Sequence, residues 1–368
     1  MLVRHTSPGV LLRTLRKDTM FRATRRTAIA AAALVAVGLA GCSGAADSTD
    51  TSPEETTSAS AGEWTPVTVE HALGTTTVEE EPERVAAIGW ANHEVALALG
   101  IVPVGMPITE WGDDDGDGVH PWVESALEDL GAETPVLYDE TDGIDFEAVA
   151  DSAPDVILAA YSGLTQDDYD TLSQIAPVVA YPETAWGTPW RQIIEVNSTA
   201  LGLADEGDAL VTQIEEKIAA AVAEHPQLDG ATAMMVTHVD PSDLSEINFY
   251  NAYDTRTQFF EDLGMTIPES LVEVSTDPTV WNGSVSTEQA DVFSDVDIFV
   301  TYGGQELIDA LEADPLLSQL PAVANGSVVN LPGDSPLGTA ANPTPLQVLE
   351  SDLVEQYVAL LADAADNG

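Results

Sequence analysis

The chain has 368 residues, and its 63 acidic residues against 11 lysine and arginine residues give a formal net charge of −52. Seven of the basic residues and one of the acids precede Cys42, so the rest of the chain keeps 4 basic and 62 acidic residues, a formal charge of −58. A field of this sign repels nucleic acid phosphates and anionic lipid head groups, which excludes both as ligands. Because Cys42 is the only cysteine, no intramolecular disulfide can form and the fold depends on its core.

The amino-terminal end has the layout of a secretory signal. Three arginines, the last of them Arg26, precede an apolar stretch over residues 27–40 that is shorter than the roughly 20 residues needed to span a bilayer. The stretch ends in Leu-Ala-Gly before Cys42, which resembles a bacterial lipobox and implies that Cys42 takes a lipid and becomes the new amino terminus. Residues 1–42 are therefore predicted to be a lipoprotein signal sequence, with Met20 as a second candidate start. The alternative is a soluble secreted protein whose one cysteine lies there by chance.

The residues after the signal divide by composition into a tether and a folded body. Residues 43–63 are small, polar or acidic and lack any large apolar side chain, which predicts a disordered tether. The remaining stretch of about 300 residues exceeds one ordinary core. We predict an N-terminal α/β lobe over residues 64–188, a linker helical segment over 189–225 and a C-terminal α/β lobe over 226–368.

Strand-like and helix-like patterns alternate in the predicted N-terminal lobe. The short apolar runs Val85–Ile88 and Val102–Val104 predict strands, and the residues Asn92–Leu99 between them have helical spacing. A predicted helix that begins at Phe146 is followed by the predicted strand Val156–Leu158. Alternation of this kind is typical of a parallel α/β sheet with helices on both faces.

The predicted linker has a helical pattern over residues 190–224, where apolar side chains recur on the same faces. Gly202 and Gly207 predict a break in it. The break leaves Asp205–Glu224 as a helix of about 30 Å, which is long enough to span two lobes. The α/β alternation then resumes in the segments 233–239, 257–263 and 298–300.

The two predicted lobes share a segment that aligns without a gap. The segment that starts at Glu147 pairs with the one that starts at Glu288, and Tyr161 then matches Tyr302. Each copy reads as a helix, then a strand, then an aromatic residue and a glycine at the carboxyl end of that strand. Because open α/β sheets bind ligands beyond the carboxyl ends of their strands, two such lobes facing each other predict a ligand cleft.

An ordered set of stretches resembles a known family. They cover the chain from about Thr65 to its end and are Glu83–Trp90, Ala96–Gly105, Phe146–Leu158, Ile175–Val179, Leu263–Met265, Val285–Glu288 and Leu320–Val323. In this order they resemble the class III, helical-backbone solute-binding proteins of ABC importers, the group that binds iron–siderophores, haem and cobalamin. Within this group the chain resembles iron–siderophore lipoproteins of the actinobacterial type. The resemblance implies two Rossmann-like lobes joined by a long linker helix, in a lipid-anchored protein on the extracytoplasmic face of the cell membrane.

The resemblance and the predicted cleft together nominate the ligand-binding residues. Aromatic side chains at loop positions suit a bulky, partly apolar chelate, while Arg256 and Arg191 suit its metal-bound oxygens. For each aromatic residue, packing in the core is an equal alternative, and a salt bridge with Asp254 is the alternative for Arg256. The predicted aromatic contacts are Trp90, Trp111, Tyr161, Trp186, Tyr250, Tyr253, Trp281 and Tyr302.

The resemblance also implies what the protein does with its ligand. It captures a ferric siderophore and delivers it to the permease dimer of an ABC importer, and one exposed glutamate of each lobe docks onto permease arginines. The matching positions are Glu147 and Glu288, for which two ordinary solvated acids are the alternative. Since the ligand is itself the iron complex, we expect no cofactor, no catalytic residue and no nucleic acid partner, and we expect a monomer.

The sequence also contains residues that bear on other functions, namely metal binding, catalysis and a structural role. Asp113–Gly118 with Glu124 fits the calcium-loop pattern D-x-D-x-D-G-x5-E, but the residues before it do not predict the incoming helix. His93, His120 and His238 are candidates to converge on a bare zinc or manganese ion. The chain lacks the G-x-S-x-G, Walker and H-E-x-x-H motifs of the commonest enzyme classes. A structural cell-surface protein would need no cleft.

The charge of the chain also bears on the class of siderophore. A ferric catecholate is strongly anionic and would enter a cleft in a body of formal charge −58 with at most two arginines to meet it. A ferric hydroxamate is neutral or singly positive and meets no such barrier. We therefore predict a hydroxamate in preference to a catecholate, with haem and cobalamin as minor alternatives in the same fold.

Overall fold

The structure, a computed structural model, describes residues 64–237, 241–333 and 335–368. The predicted signal sequence with Cys42, the predicted tether and His238 lie outside the described residues. Within the described residues, no helix combines the length and the apolar character that crossing a membrane requires.

The N-terminal half is an α/β lobe in which strands and helices alternate along the chain. Its elements are β1 (Val67–His71), β2 (Gly74–Val78), β3 (Val85–Ala87), α1 (Asn92–Ala98), β4 (Gly105–Pro107), α2 (Pro121–Asp129), β5 (Val136–Tyr138), α3 (Phe146–Asp151), β6 (Val156–Ala159), α4 (Gln166–Leu172) and β7 (Val178–Ala180). Strands β3 to β7 form a parallel sheet of order β5-β4-β3-β6-β7, and β1 pairs with β2 in an antiparallel hairpin. Strands β3 and β6 are buried along their whole lengths, as expected of a sheet covered on both faces.

Strand β4 begins later than the sequence predicts. The predicted strand Val102–Val104 contains Pro103, which has no N–H to donate to a neighbouring strand. Pairing therefore begins at Val104, whose N–H donates to the Val85 carbonyl at 2.8 Å, and the strand itself is Gly105–Pro107. Gly105 faces the ring of Tyr138, and a Cβ at this position would overlap its hydroxyl group. The pattern of apolar residues located the strand correctly in the chain order but placed it a few residues early.

Two helices join the halves of the chain, α5 (Trp190–Ala200) and α6 (Ala204–Ala223). The break between them contains Gly202, as predicted, with φ +72° and the indole of Trp64 packed where a side chain would lie. Helix α6 has 20 residues, which corresponds to about 30 Å at the rise of an α-helix. Gly207, the other glycine on which the predicted break rested, lies inside α6, as the predicted helix Asp205–Glu224 implies, and packs closely against Ser198 of α5.

The C-terminal half is a second α/β lobe. Its elements are β8 (Ala233–Met235), β9 (Glu246–Tyr250), α7 (Thr255–Asp262), α8 (Glu269–Val274), β10 (Asn282–Ser286), β11 (Ile298–Thr301), α9 (Gln305–Ala313), α10 (Pro321–Ala324), β12 (Val328–Asn330), α11 (Pro345–Glu350) and α12 (Leu353–Ala365). Strands β12-β11-β8 form a parallel sheet, and β9 pairs with β10 in an antiparallel hairpin. The predicted fold class of two α/β lobes joined by a long helix is confirmed.

The second copy of the internal repeat differs from the first in its opening turn. Residues Thr287–Phe293 form a 3₁₀ segment where the first copy has the α-helix α3. The difference arises at Gln289, whose backbone angles (φ −113°, ψ 18°) leave the helical region. The strands and the aromatic residues that follow nevertheless correspond, since β6 leads to Tyr161 and β11 leads to Tyr302.

The carboxyl-terminal segment returns to the N-terminal lobe. Helix α11 contacts α1, α2 and α6, and the backbone N–H of Leu346 donates to the buried carboxylate of Glu94 on α1 at 2.9 Å. The same carboxylate accepts a hydrogen bond from Trp122 Nε1 on α2 at 2.7 Å. Lys217 of α6 donates to the carbonyls of Leu349 and Ser351, at 3.0 Å each, at the end of α11. The chain beyond residue 344 therefore connects both lobes to the linker, which the pattern of residues did not indicate.

Candidate ligand-binding site

A cavity of about 370 Å³ opens between the two lobes at the carboxyl ends of their strands. The first lobe contributes Trp90 after β3 and Tyr161 after β6, and the second contributes Tyr250 at the end of β9 and Tyr302 after β11. This is the place where open α/β sheets bind ligands. The described residues that line it are Trp90, Trp111, Tyr161, Trp186, Tyr250, Arg256, Trp281, Tyr302, Thr339 and Asn342.

The aromatic rings of the cavity contact one another at angles that leave their faces and edges exposed to it. Tyr161 and Trp186 of the first lobe meet edge to face, with ring centroids 5.4 Å apart. Trp111 of the first lobe meets Tyr302 of the second in the same way at 5.1 Å, so this pair crosses between the lobes. Such arrangements hold the rings rigidly and create an amphipathic wall that suits a partly apolar ligand.

Arg256 reaches the cavity from α7 while bound to a buried partner. Its Nε and Nη2 donate to Oδ1 and Oδ2 of Asp254 at 2.7 and 2.6 Å, and the Asp254 side chain is 0% exposed. The guanidinium also stacks on Tyr250, with Cζ 3.8 Å from the ring centroid. The salt bridge with Asp254 is thus present, and the same guanidinium lines the cavity. Because a guanidinium has five N–H donors, the bidentate pair leaves donors for a ligand.

The described lining of the cavity carries almost no net charge. Among the described residues that line it, Arg256 is the charged one, and the carboxylate of Asp254 lies directly behind it. Burial disfavours the charged guanidinium, but the hydrogen bonds and the charge of Asp254 outweigh this and raise the pKa of Arg256. Burial also raises the pKa of Tyr161 and of Tyr302, so both remain neutral phenols at ordinary pH. The residues after Cys42 carry a formal charge of −58, yet the described lining of this cavity is aromatic and its one guanidinium is paired with a carboxylate.

Two lining residues were missed by the sequence analysis. Asn342 accepts a hydrogen bond from Thr255 Oγ1 on α7 at 3.1 Å, and Thr255 in turn lies 3.2 Å from the Tyr161 hydroxyl of the first lobe. Thr339 lies beside Asn342 in the lining. Both belong to a turn-rich stretch after β12 in which no periodicity marks a functional residue, so only the folded chain brings them to the cleft.

Two predicted ligand residues lie outside this lining. Arg191 binds Glu215 at 2.7 Å and Asp262 at 2.8 Å, and its guanidinium stacks on Trp190, so it joins α5 to α6 and α7. Tyr253 follows β9 on a loop and is 41% exposed. A ligand contact by either residue stays a prediction, and the observed bonds of Arg191 favour a role in holding the lobes together.

The acidic loop after β4 gathers three carboxylates. One oxygen each of Asp113, Asp115 and Asp117 lies within 4.8 Å of the others, and Asp113 accepts hydrogen bonds from the backbone N–H groups of Gly116 and Gly118. The residues between β4 and the loop form no helix, as the sequence predicted, so the helix–loop–helix arrangement of a calcium-binding EF-hand is incomplete here.

Two of the three histidines nominated as metal ligands are buried, and they flank Glu94. His120 Nδ1 lies 3.9 Å from the Glu94 carboxylate, and burial lowers the pKa of His93 to about 4. That carboxylate is bonded to Trp122 and to the start of α11. Among residues 64–237, 241–333 and 335–368, the set of acidic, histidine and cysteine side chains close enough to share a metal ion is the aspartate group of the acidic loop.

Comparison with known proteins identifies the family. The sequence profile of the periplasmic binding protein family matches residues 85–335, about two thirds of the chain. The chain is a member of this family. The solved structure of PiaA of Streptococcus pneumoniae in complex with ferrichrome is 40% identical, covers 82% of this chain and 99% of that chain, and superposes with a TM-score of 0.78.

Two further relatives extend the comparison. The probable siderophore-binding lipoprotein YfiY of Bacillus subtilis is 25% identical over 240 residues, 64% of this chain and 69% of YfiY. The ferric enterobactin-binding periplasmic protein FepB of Escherichia coli is 26% identical over 298 residues, 74% of this chain and 85% of FepB. The family consists of substrate-binding transport proteins, so the prediction that the chain is not an enzyme is confirmed.

The two glutamates matched by the repeat occupy similar local positions in this periplasmic binding protein. Glu147 lies in the first turn of α3 and Glu288 in the first turn of the 3₁₀ segment, and both are exposed. Their N-cap residues, Asp145 and Ser286, accept hydrogen bonds from backbone N–H groups of the same turns. Each glutamate is therefore presented to solvent from a capped turn, and permease docking by the pair stays a prediction.

Proposed function

We propose that the protein captures a ferric siderophore, preferably of the hydroxamate class, and delivers it to the permease dimer of an ABC importer. The observation that carries the proposal is the interlobe cavity, which combines an aromatic wall with one guanidinium whose charge is balanced by Asp254. The 40% identity with PiaA, whose solved complex contains ferrichrome, supports a ligand of the same class.

The electrostatics of the cavity favour a chelate without large negative charge. Arg256 can donate hydrogen bonds to a ligand, but its positive charge is already paired, because Asp254 is its buried counter-ion. A strongly anionic ferric catecholate would leave buried charge unpaired, which costs several kcal/mol. A neutral ferric hydroxamate accepts hydrogen bonds at its iron-bound oxygens and stacks on the rings without that cost.

A ferric catecholate is the second candidate, and the relationship with FepB favours it. A ferric catecholate requires positive charge in the cavity, whereas a neutral ferric hydroxamate does not. Measuring the affinity of the protein for ligands of both classes therefore distinguishes the two candidates.

Delivery at a membrane surface completes the proposed function. Lipidation at Cys42 would anchor the protein to the outer face of the cell membrane, and residues 43–63 would serve as its tether. The lobes over 64–188 and 226–368, joined by the linker segment 189–225, would hold the chelate between them, and Glu147 and Glu288 would orient the loaded protein on the permease. We propose that the protein acts as a monomer.

The test is a titration of intrinsic tryptophan fluorescence with ferrichrome, ferric enterobactin, haemin and cobalamin. Four tryptophans line the cavity, so a ligand bound there is expected to quench their emission. N-acetyltryptophanamide, titrated in parallel, controls for light absorption by the coloured complexes. We expect saturable quenching at nanomolar to micromolar ferrichrome. Saturable quenching by ferric enterobactin with ferrichrome silent would reverse the preferred class.

A further inference from the structure

A second cavity of about 220 Å³ lies in the N-terminal lobe behind one wall of the interlobe cavity. It opens at the carboxyl ends of β3, β5 and β6, through Gly89, Glu140 and Ser162. Trp186 lines both cavities. We refer to this space as the side cavity. The shared side chain of Trp186 places the two cavities next to each other.

The partition between the two cavities is held in an unusual conformation. Trp186 has φ +58°, a left-handed backbone conformation that costs a non-glycine residue free energy. Its N–H donates to the Ser162 carbonyl at 3.0 Å, and its indole packs against Gly163, where a Cβ would overlap it. The chain thus places a large ring at this position at an energetic cost, and Trp186 is still 38% exposed.

One polar group of the side cavity keeps unused hydrogen-bonding capacity. Asp168 accepts hydrogen bonds from the backbone N–H and the hydroxyl of Thr165, at 3.0 and 2.7 Å, in the capping box of α4. Ser162 donates its hydroxyl to the Ala159 carbonyl at 2.8 Å. Glu140 accepts from the Gly89 N–H at 3.0 Å, although a carboxylate has about four acceptor positions.

The carboxylate of Glu140 also has no counter-ion in this space. The lining of the side cavity, as far as the chain is described, contains the carboxylates of Glu140 and Asp168 and no basic residue. Burial raises the pKa of Glu140 to about 7, although the Gly89 N–H acts in the opposite direction. A cation placed beside this group would remove the penalty of a half-buried, unpaired negative charge.

We propose that the side cavity is a subsite for a protonated amine carried by the siderophore, with Glu140 as its counter-ion. The inference rests on the proposed function. A primary ammonium has three donors for the free acceptor positions of the carboxylate, and a volume of about 220 Å³ holds a short alkyl tail that bears it. The formal charge of −58 carried by the residues after Cys42 attracts such a cation over longer distances. Siderophores that differ only in a terminal amine are therefore distinguished by this protein.

The experiment compares ferrioxamine B, which has a primary ammonium tail, with its N-acetylated derivative, which is otherwise the same ferric trihydroxamate. Affinities are measured by fluorescence titration at pH 8 in 0.5 M NaCl, where long-range charge effects are screened. We expect wild-type protein to bind ferrioxamine B about tenfold or more tightly than the acetylated form, as one charge-assisted hydrogen bond would provide. In the Glu140→Gln variant the ratio of the two affinities is expected to fall close to one.

Asp142→Asn is the matched control, because it removes one charge from an exposed residue of the same loop. It is expected to retain the wild-type ratio. If Glu140→Gln does not fold, Glu140→Ala, which also removes the carboxylate, gives the same comparison. Equal affinities in wild type, or a ratio that survives the loss of the Glu140 carboxylate, would overturn the subsite while leaving the proposed function intact. Failure of wild type to bind both ferrioxamines and ferrichrome would instead refute the hydroxamate function, and the subsite with it.

Discussion

The role of Arg256 can be resolved by separating its structural bond from its contact with a ligand. Replacement of Arg256 by Met leaves the Asp254 carboxylate, which is 0% exposed, without its bidentate partner. Replacement of Asp254 by Asn removes the charge but keeps the N-cap of α7, because asparagine caps helices about as well as aspartate. The double variant then lacks both charges and keeps the cap.

Removal of one partner from a buried ion pair costs about 3–5 kcal/mol. Because Arg256 is 19% exposed, we expect Arg256→Met to lower the free energy of unfolding by a value at the low end, about 3 kcal/mol. Asp254→Asn leaves a cation that still reaches the cavity, so its expected cost is about 2 kcal/mol. The double variant should cost about 2 kcal/mol rather than the sum, because no charge is left unpaired and the main loss is the stacking on Tyr250.

Urea unfolding followed by tryptophan fluorescence measures these three values, and Arg84→Met is the matched control. Arg84 is exposed and donates to the backbone carbonyls of Ser152 and Ala153. The control therefore loses an arginine without leaving a buried carboxylate unpaired. Ferrichrome affinity is then measured on the double variant, which we expect to stay folded because it leaves no charge unpaired. We expect at least a tenfold loss, since one charged donor is gone. Additive unfolding energies would refute the coupling, and unchanged ferrichrome affinity would refute the ligand contact of Arg256.

Three further predictions use other parts of the chain. Glu147→Ala and Glu288→Ala, singly and more so together, are expected to reduce siderophore uptake by cells. The affinity of the purified variants for ferrichrome should stay within about twofold of wild type. A large loss of affinity would show instead that the residue contacts the ligand or stabilises the fold. Cys42→Ala is expected to release the protein from membranes into the medium, and unchanged membrane retention in a fractionation assay would contradict lipidation. The pKa of Glu140, raised from 4.5 to about 7, means that the folded state binds more protons between these values, so stability falls as pH rises through this window. Glu140→Gln should remove this dependence of stability on pH. The variant should be up to about 3 kcal/mol more stable than wild type at pH 8, with little difference at pH 4. Urea unfolding that gives the same difference in free energy of unfolding between variant and wild type at both pH values would contradict the raised pKa.

The sequence by itself determined the features that depend on local pattern. Alternating strands and helices, the 20-residue helix α6 and the break at Gly202 follow from periodicity and glycine placement, because both act over a few residues. The gapless repeat also put Tyr161 and Tyr302 at the carboxyl ends of strands β6 and β11, since register within a strand–loop unit is a property of the chain. The proposed ligand class began from net charge, which composition alone supplies.

Only the tertiary structure decided which side chains share a space and which are already bonded. Arg191 and Arg256 were both predicted to contact the ligand, with Arg191 the weaker candidate, but the sequence could not show that Arg191 binds Asp262 across 71 positions of the chain while Arg256 reaches the cavity. Asn342 and Glu140 gave no sequence signal, because their surroundings are assembled from segments far apart in the chain. The buried carboxylate of Glu94 likewise meets the start of α11 across 252 positions. Hydrogen bonds and burial between such distant segments depend on how the folded chain packs. Residue periodicity describes only neighbouring residues and therefore does not predict them.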